Sequence, residues 1–316
     1  MRSLLLGTVT LMIHAAQVVA LAPLLAGLVR GIQARLTGHA GAPLLQPWRD
    51  LRRLAGKQPV IAENASPLFR AAPFASFVAV ATVAALVPSF ALGMATAPLA
   101  DLLVIAGLLT LARCAEALAA MDTPFGGIGA SRTLTYAGLA EPGLMVVILS
   151  LGLLSGTTNL DAIAGLLRDG RIALHGALAP AFFATAAVAV AQTGCAPLDK
   201  RPSSELAMTE AMRLEYSGRD LALLEGAAAL RLMLWLNLIA AVFLPFGTAM
   251  PGAGPLQWAV GLGAWAGKIL VLSAALAVLG AMSASVRPSR VPQLLGIAVL
   301  LGLLATMLLV ASAASA

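Results

Sequence analysis

Ala71–Ala100, AAPFASFVAVATVAALVPSFALGMATAPLA, contains no Asp, Glu, Lys or Arg. A helix needs roughly 20 residues to cross the hydrocarbon of a bilayer, and this run exceeds that length. Ser3–Val29, Ile172–Leu198 and Val291–Ala316 are equally free of formal charge. Four further apolar stretches carry one to three charges each: Leu99–Met121, Leu134–Leu154, Leu221–Phe246 and Leu256–Met282. The sequence therefore predicts an all-α polytopic membrane protein of eight transmembrane helices, forming a single integral membrane domain over residues 1–316. Composition agrees, since only 11% of residues are charged against about a quarter in soluble domains. The alternating dyad of an outer-membrane barrel is absent.

The connecting segments test that helix count. Ala20-Leu21-Ala22 resembles a signal-peptidase site, but the apolar run continues to Val29 and the basic residues follow it, which argues against cleavage. With the first basic loop in the cytoplasm and the N-terminus outside, the cytoplasmic side receives Arg30, Arg35, Arg49, Arg52, Arg53, Lys57, Arg70, Arg132, Lys200, Arg201, Arg213, Arg219, Arg287 and Arg290. The other side receives Arg2, Arg168 and Arg171. A wrong helix count would scramble this positive-inside bias. The cytoplasmic loops are then 30–70, 122–132, 197–220 and 283–290. The bias also accounts for the net charge of +6, leaving no indication of nucleic acid as a partner.

Redox and metal centres within the chain find little support. Cys114 and Cys195 lie in different predicted helices with no Cys-x-x-Cys pair. His14 and His175 fall in different spans and His39 in a loop, short of the four facing histidines that a two-haem bundle needs. Gly126-Gly127-Ile128-Gly129 follows a helix and lacks the Lys of a P-loop, so it reads as a turn. No catalytic residue is visible.

Ionisable residues inside apolar spans cost about 2.5–3.5 kcal/mol each at a helix centre unless paired or hydrated. Asp101 begins its helix after Pro98, where a carboxylate answers the helix dipole. Arg113 and Glu116 share one helical face and could neutralise each other or serve a polar path. Glu141-Pro142-Gly143 joins a carboxylate to two helix-weakening residues, which predicts a local break open to water. Glu225 and Arg231 stand about 240° apart around their helix, so each needs a partner elsewhere. Lys268, alone in its span, has the same need, and these three read as parts of a polar path.

Pro197–Glu225, PLDKRPSSELAMTEAMRLEYSGRDLALLE, concentrates charge between two apolar runs and is where the chain meets a water-soluble partner. Pro202-Ser203-Ser204-Glu205 starts a helix, with a hydroxyl to cap it and an acid in its first turn, and Ser217-Gly218 ends it after Tyr216. Glu205, Glu210 and Glu215 do not fall on one stripe. Two readings stay open: a solvated surface helix, or an amphipathic one lying on the membrane with Met208, Met212 and Leu214 inward.

Strings along nearly the whole chain carry a family resemblance. They include Gln33-Ala34-Arg35, Leu44 to Asp50 (LLQPWRD), Phe69 to Pro73, Asp122 to Arg132 (DTPFGGIGASR), and Glu141. Others are Glu210-Ala211-Met212, Leu214 to Gly218 (LEYSG), Leu221-Ala222-Leu223, Glu225, Phe243-Leu244-Pro245 and Arg290-Val291-Pro292. The chain resembles the family uniting the quinone-site membrane subunit of respiratory complex I, its subunit 1, with the matching subunit of formate hydrogenlyase and other membrane-bound nickel–iron hydrogenases. Complex I members typically carry Gly-Pro-Asn-Arg-Val-Gly in the first loop and Phe-Asp-Leu-Pro-Glu before the Glu-Tyr-Ser-Gly turn. Here Leu36 to Ala42 (LTGHAGA) and Pro197 to Glu205 (PLDKRPSSE) stand instead, which favours the hydrogenase branch.

The resemblance implies a subunit of the bacterial cytoplasmic membrane that anchors a nickel–iron-type large subunit and an iron–sulfur subunit to antiporter-like membrane subunits. The nickel–iron centre and iron–sulfur clusters would reside in those partners. It implies ion coupling through Glu141, Glu210, Glu215, Glu225, Arg113, Glu116, Arg231 and Lys268. Docking of the soluble arm would fall to Gln33, Arg35, Gln46, Arg49, Asp50, Arg52, Arg53, Asp122, Arg132, Glu205, Tyr216 and Arg219. Three rival readings are a quinone-site subunit of an NADH:quinone oxidoreductase-like complex, a stand-alone secondary transporter and an inert anchor. Repeated halves with matching broken helices would mark a transporter, and no repeat relates the first and last four helices.

Overall fold

The computed structural model describes residues 2–61, 65–122, 124–168, 178–193, 212–213, 215–282 and 291–314. These residues form α1 (Arg2–Leu36), α2 (Gln46–Ala55), α3 (Pro67–Leu86), a 3-10 turn (Ala97–Leu99), α4 (Leu102–Ala120), α5 (Pro124–Ser155), α6 (Leu160–Arg168), α7 (Leu178–Thr193), α8 (Gly218–Phe243), α9 (Pro255–Met282) and α10 (Val291–Ala314). The fold is all-α and polytopic. Two isolated bridges, Ala91 with Ala249 and Asp101 with Asn159, are the extended pairings among the described residues.

The helix count departs from eight. Six helices among the described residues are long and apolar enough to cross a membrane, namely α1, α3, α4, α5, α8 and α9. The other two expected spans correspond to shorter apolar stretches, Leu178–Val190 on α7 and Pro292–Leu308 on α10; the run expected over Ile172–Leu198 begins and ends outside the described residues.

α8 is the central column. Its span is 89% buried, whereas α9 reaches only 28%. A helix apolar all round belongs in an interior, and Met233, Leu234 and Trp235 are fully enclosed. α3, α4, α5, α10 and α7 follow one another around it, while α1 and α9 pack on each other and on α8.

Three local expectations are corrected. Gly126-Gly127-Ile128-Gly129 is not a turn; it lies in the opening turns of α5, where Pro124 takes the first helical position that its missing N–H suits. Glu141-Pro142-Gly143 does not break its helix, since α5 runs on through Pro142 to Ser155. Gly143 there lets α10 approach: a Cβ would meet Val299 at 3.4 Å, and one on Gly302 of α10 would meet Val146 at 3.2 Å. Ser217-Gly218 opens α8 rather than only closing the preceding loop.

The connections gather at two opposite ends. At one end Leu92 N–H donates to the Ala249 carbonyl (2.9 Å), Ala95 N–H to the Gly7 carbonyl (3.2 Å) and Leu160 N–H to the Ala100 carbonyl (2.7 Å). The Asp161 carboxylate accepts from Gly93 N–H at 3.1 Å, and burial pushes its pKa up. Asp101 caps α4 by accepting from Leu103 N–H (2.7 Å) and also takes the Thr158 hydroxyl (2.6 Å), so its role is structural. At the other end the α1 terminus, α2 and the segments around residues 56–61 and 215–219 meet.

This segregation gives a topological test independent of absolute orientation. Cysteines replacing His39 and Met250, both exposed, are expected to react with an impermeant maleimide from opposite faces of a sealed membrane vesicle.

Candidate functional site: a buried charge network beneath a charged end

Ion pairs link three helices inside the bundle, and a hydrogen bond adds a fourth. Arg231 of α8 donates to Glu116 of α4 at 2.8 Å, with both side chains largely buried. Ser76 of α3 donates its hydroxyl to the same carboxylate oxygen. Arg113 of α4 donates to Glu141 of α5 at 3.3 Å. Nearer the charged end, Arg213 meets Glu225 of α8 at 3.6 Å, and Arg213 also acts on Glu116. Arg231 lies about 20 Å along α8 from Gly218 at 1.5 Å per residue, well inside the hydrocarbon.

Arg113 and Glu116 thus do not neutralise each other. Each turns to a different neighbouring helix, α5 for Arg113 and α8 for Glu116. Glu225 and Arg231 take partners outside their own helix, as their angular separation requires. The result alternates in sign through Glu141, Arg113, Glu116, Arg213 and Glu225, with Arg231 as a second cation on Glu116. The Nε groups of Arg113 and Arg231 are buried with no acceptor among the described residues, and a bridging water is the usual solution for such donors. Lys268 is not part of this network; the charged group acting on it is Arg168, at the end of α6.

Directly over the network lies the charged end. α2 buries no residue and presents Arg49, Arg52 and Arg53 to solvent. Asp50 holds its register, accepting from Gln46 at 3.1 Å and pairing with Arg53 at 3.4 Å. Trp48 pins α2 to α1 by donating to the Ala20 carbonyl at 2.9 Å. Arg35, Glu215 and Arg219 are exposed. Gln33 has its amide nitrogen buried without a partner, so it faces inward rather than outward. Asp122 accepts from the Ser66 hydroxyl.

Tyr216 also departs from the docking role expected of it. It is 6% exposed, stacks on Phe69 with ring centroids 4.2 Å apart and donates its hydroxyl to the Phe69 carbonyl at 3.2 Å. Burial, followed by the charges of Asp220, Glu116 and Asp122, pushes its pKa up and keeps that proton in place. Next to it, Ser217 Oγ accepts from Val60 N–H at 2.7 Å. Gly218 has φ +55°, and a Cβ there would stand 2.5 Å from the Gln58 carbonyl, so this turn requires glycine. Met212 is buried against Ala117, Ala120 and Ala130. Glu205 and Glu210 lie outside the described residues, as does the Arg132 side chain.

Sequence reasoning missed three participants. Ser76 carried no signal because a serine in an apolar span is unremarkable by composition. Arg213 was visible only as one loop charge among many. Arg168 sits on α6, a short helix hidden within a connecting segment.

An α-helical membrane protein whose interior charges pair between helices beneath a basic, solvent-facing end is the class these features define. The chain belongs to the NADH dehydrogenase family, that of complex I subunit 1, which it matches over residues 8–312. It is similar to hydrogenase-4 component C of Escherichia coli K12, with 34% identity covering 72% of this chain and 73% of the relative. It is also similar to formate hydrogenlyase subunit 4 of the same organism, with 30% identity over 75% of this chain and 77% of the relative. Its fold matches a chain in the structure of the membrane-bound sulfane sulfur reductase, an archaeal respiratory membrane complex, with a TM-score of 0.77 and 18% identity over 95% of this chain and 98% of that one. The hydrogenase-type strings read in the sequence agree with the two curated relatives.

Removing one member of a buried ion pair typically costs about 3–5 kcal/mol, whereas replacing both by apolar residues is often neutral. Glu116→Ala is therefore expected to lower the thermal midpoint in detergent sharply, and Glu116→Leu combined with Arg231→Met to recover most of the loss. Tyr216→Phe keeps the stack but forfeits one hydrogen bond, for an expected loss of about 1 kcal/mol.

Proposed function

We propose that this chain is the membrane-anchoring, ion-coupling subunit of a multi-subunit respiratory-type oxidoreductase, specifically a membrane-bound nickel–iron hydrogenase of the formate hydrogenlyase type. The observation that carries the reading is vertical alignment: the solvent-facing basic helix α2 and the 215–219 turn stand over the Glu225, Glu116 and Glu141 ladder inside the bundle. The two E. coli relatives, each a component of a hydrogenase system by name, support the same class.

In this reading the charged end faces the cytoplasm and the N-terminus lies outside the bacterial inner membrane. The fourteen-to-three distribution of Lys and Arg supports that orientation. The soluble arm, a nickel–iron-type large subunit with an iron–sulfur subunit, docks through Arg35, Arg49, Arg52, Arg53 and Arg219, with Asp50 holding α2 in register. Antiporter-like subunits lie beside the chain within the membrane. In this reading the metal centres belong to the arm.

The network's own chemistry is proton or ion relay. Carboxylates paired to arginines hold charge in the membrane without leaving it bare, and a change at the Arg213–Glu225 rim alters the field at Glu116 and then at Glu141. Electron transfer in the docked arm would bias that rim.

Two experiments test the proposal. Changing Arg49, Arg52 and Arg53 together to Glu is expected to release the soluble arm while the chain stays inserted, read as hydrogenase activity moving from the membrane to the soluble fraction. An unaltered membrane-bound complex would overturn the docking assignment. Glu141→Gln is expected to assemble and to reduce an artificial acceptor normally, yet to fail to build an ion gradient in sealed vesicles; full gradient formation would return the network to a purely structural role.

A further inference from the structure

Lys268 stands thirteen residues from Pro255 and fourteen from Met282 in α9, so about 20 Å of helix separates it from either end. A lysine stem cannot bridge that distance to the interface, and a lone ammonium at this depth is costly. Among the described residues no carboxylate pairs with it. The charged group that acts on it is Arg168, a second cation, whose Nη1 is buried with no hydrogen-bond partner. Gln17 lies at the same depth: Gly7 and Trp258 line one cavity, and ten residues further along these two helices come Gln17 and Lys268. Both polar atoms of the Gln17 amide are likewise buried and unpartnered. At this depth the Lys268 ammonium and the Gln17 amide lack partners among the described residues.

α9 is also the least enclosed span of the bundle, packed chiefly against α1 and α8. Its open face runs through Leu256, Val260, Gly263, Gly267 and Val271, with Val271 67% exposed. A Cβ on Gly263 or Gly267 would meet nothing within 4 Å. Small residues four apart let a second transmembrane helix come close, and Lys268 borders that face.

We infer that Lys268 is a receptor for a carboxylate carried by a transmembrane helix of a neighbouring subunit, which packs on the Gly263–Gly267 face of α9. Charge complementarity fixes the occupant's chemistry, because a cation with no carboxylate partner among the described residues needs an anion. Depth fixes its source, because a lipid phosphate sits at the interface whereas a helix can carry Asp or Glu to mid-membrane. The incoming helix also covers the exposed apolar face. The inference rests on the reading of the chain as one subunit of a membrane complex.

Dicyclohexylcarbodiimide provides a zero-length test in the intact complex, since it activates buried carboxylates and a neighbouring amine then forms an amide. The expected product joins Lys268 to an Asp or Glu within a transmembrane segment of a stoichiometric co-purifying subunit, and is absent from Lys268→Gln. That variant is expected to recover the same subunit at least about tenfold less well after detergent extraction. Its own thermal midpoint, measured on the separated chain, should hold or rise because an unpaired buried charge has been removed. A merely structural lysine would instead lower the midpoint. Amide formation with a carboxylate of this chain, recovery of Lys268 joined only to lipid, or no Lys268 product together with unchanged subunit stoichiometry in Lys268→Gln would each overturn the inference while leaving the subunit reading intact. A wild-type chain that purifies alone would overturn both.

Discussion

The contact between Arg231 and Glu116 organises the interior. Its 2.8 Å separation lies in the middle of the most enclosed helix, where both side chains are largely buried. Each would be expensive alone, so the pairing fixes the rotation of α8 against α4 and draws α3 in through Ser76. Buried pairs contribute less to stability than their Coulomb energy suggests, because desolvation offsets most of the gain. Their firmer consequence is register: an apolar column such as α8 has many acceptable rotations against apolar neighbours, and one arginine that must meet one glutamate selects among them.

The same constraint links the membrane interior to the charged end. Glu116 answers to Arg213 as well as Arg231, and Arg213 lies three residues before Tyr216, which is stacked on Phe69 at the start of α3. Ser217 ties that turn to Val60, and Gly218 presses against Gln58. A displacement of the loop therefore moves a cation beside the buried network. This is the mechanical requirement for a subunit that senses a docked arm, and it would be met whether protons or other cations move.

Much of the architecture was legible from the chain because apolar run length and charge exclusion are one-dimensional properties. The apolar runs mark α4, α8 and α9 closely, whereas α1 continues past Val29 to Leu36 and α3 ends at Leu86, well short of Ala100; the acids and bases interrupting the runs were visible as unusual. What the sequence withheld is partnership. Arg113 and Glu116 are neighbours on one face, so local spacing suggested a mutual pair, yet the surrounding helices offered each a better partner. Pro142 suggested a break, yet α5 runs on through it, and α10 approaches closely at Gly143. Tyr216 sits in a polar string and looked like a surface residue; only its stacking on Phe69, distant in sequence, shows why it is buried. α6 was invisible because nine residues are too few to stand out from a loop.

The proposed role requires that the chain work inside a larger assembly. The most direct measurement is native mass spectrometry of the wild-type protein released from its own membranes in mild detergent. The predicted result is a stoichiometric assembly containing a nickel–iron-type large subunit, an iron–sulfur subunit and at least one further polytopic subunit. A particle consisting of this chain and lipid alone, from membranes in which those subunits are present, would contradict it.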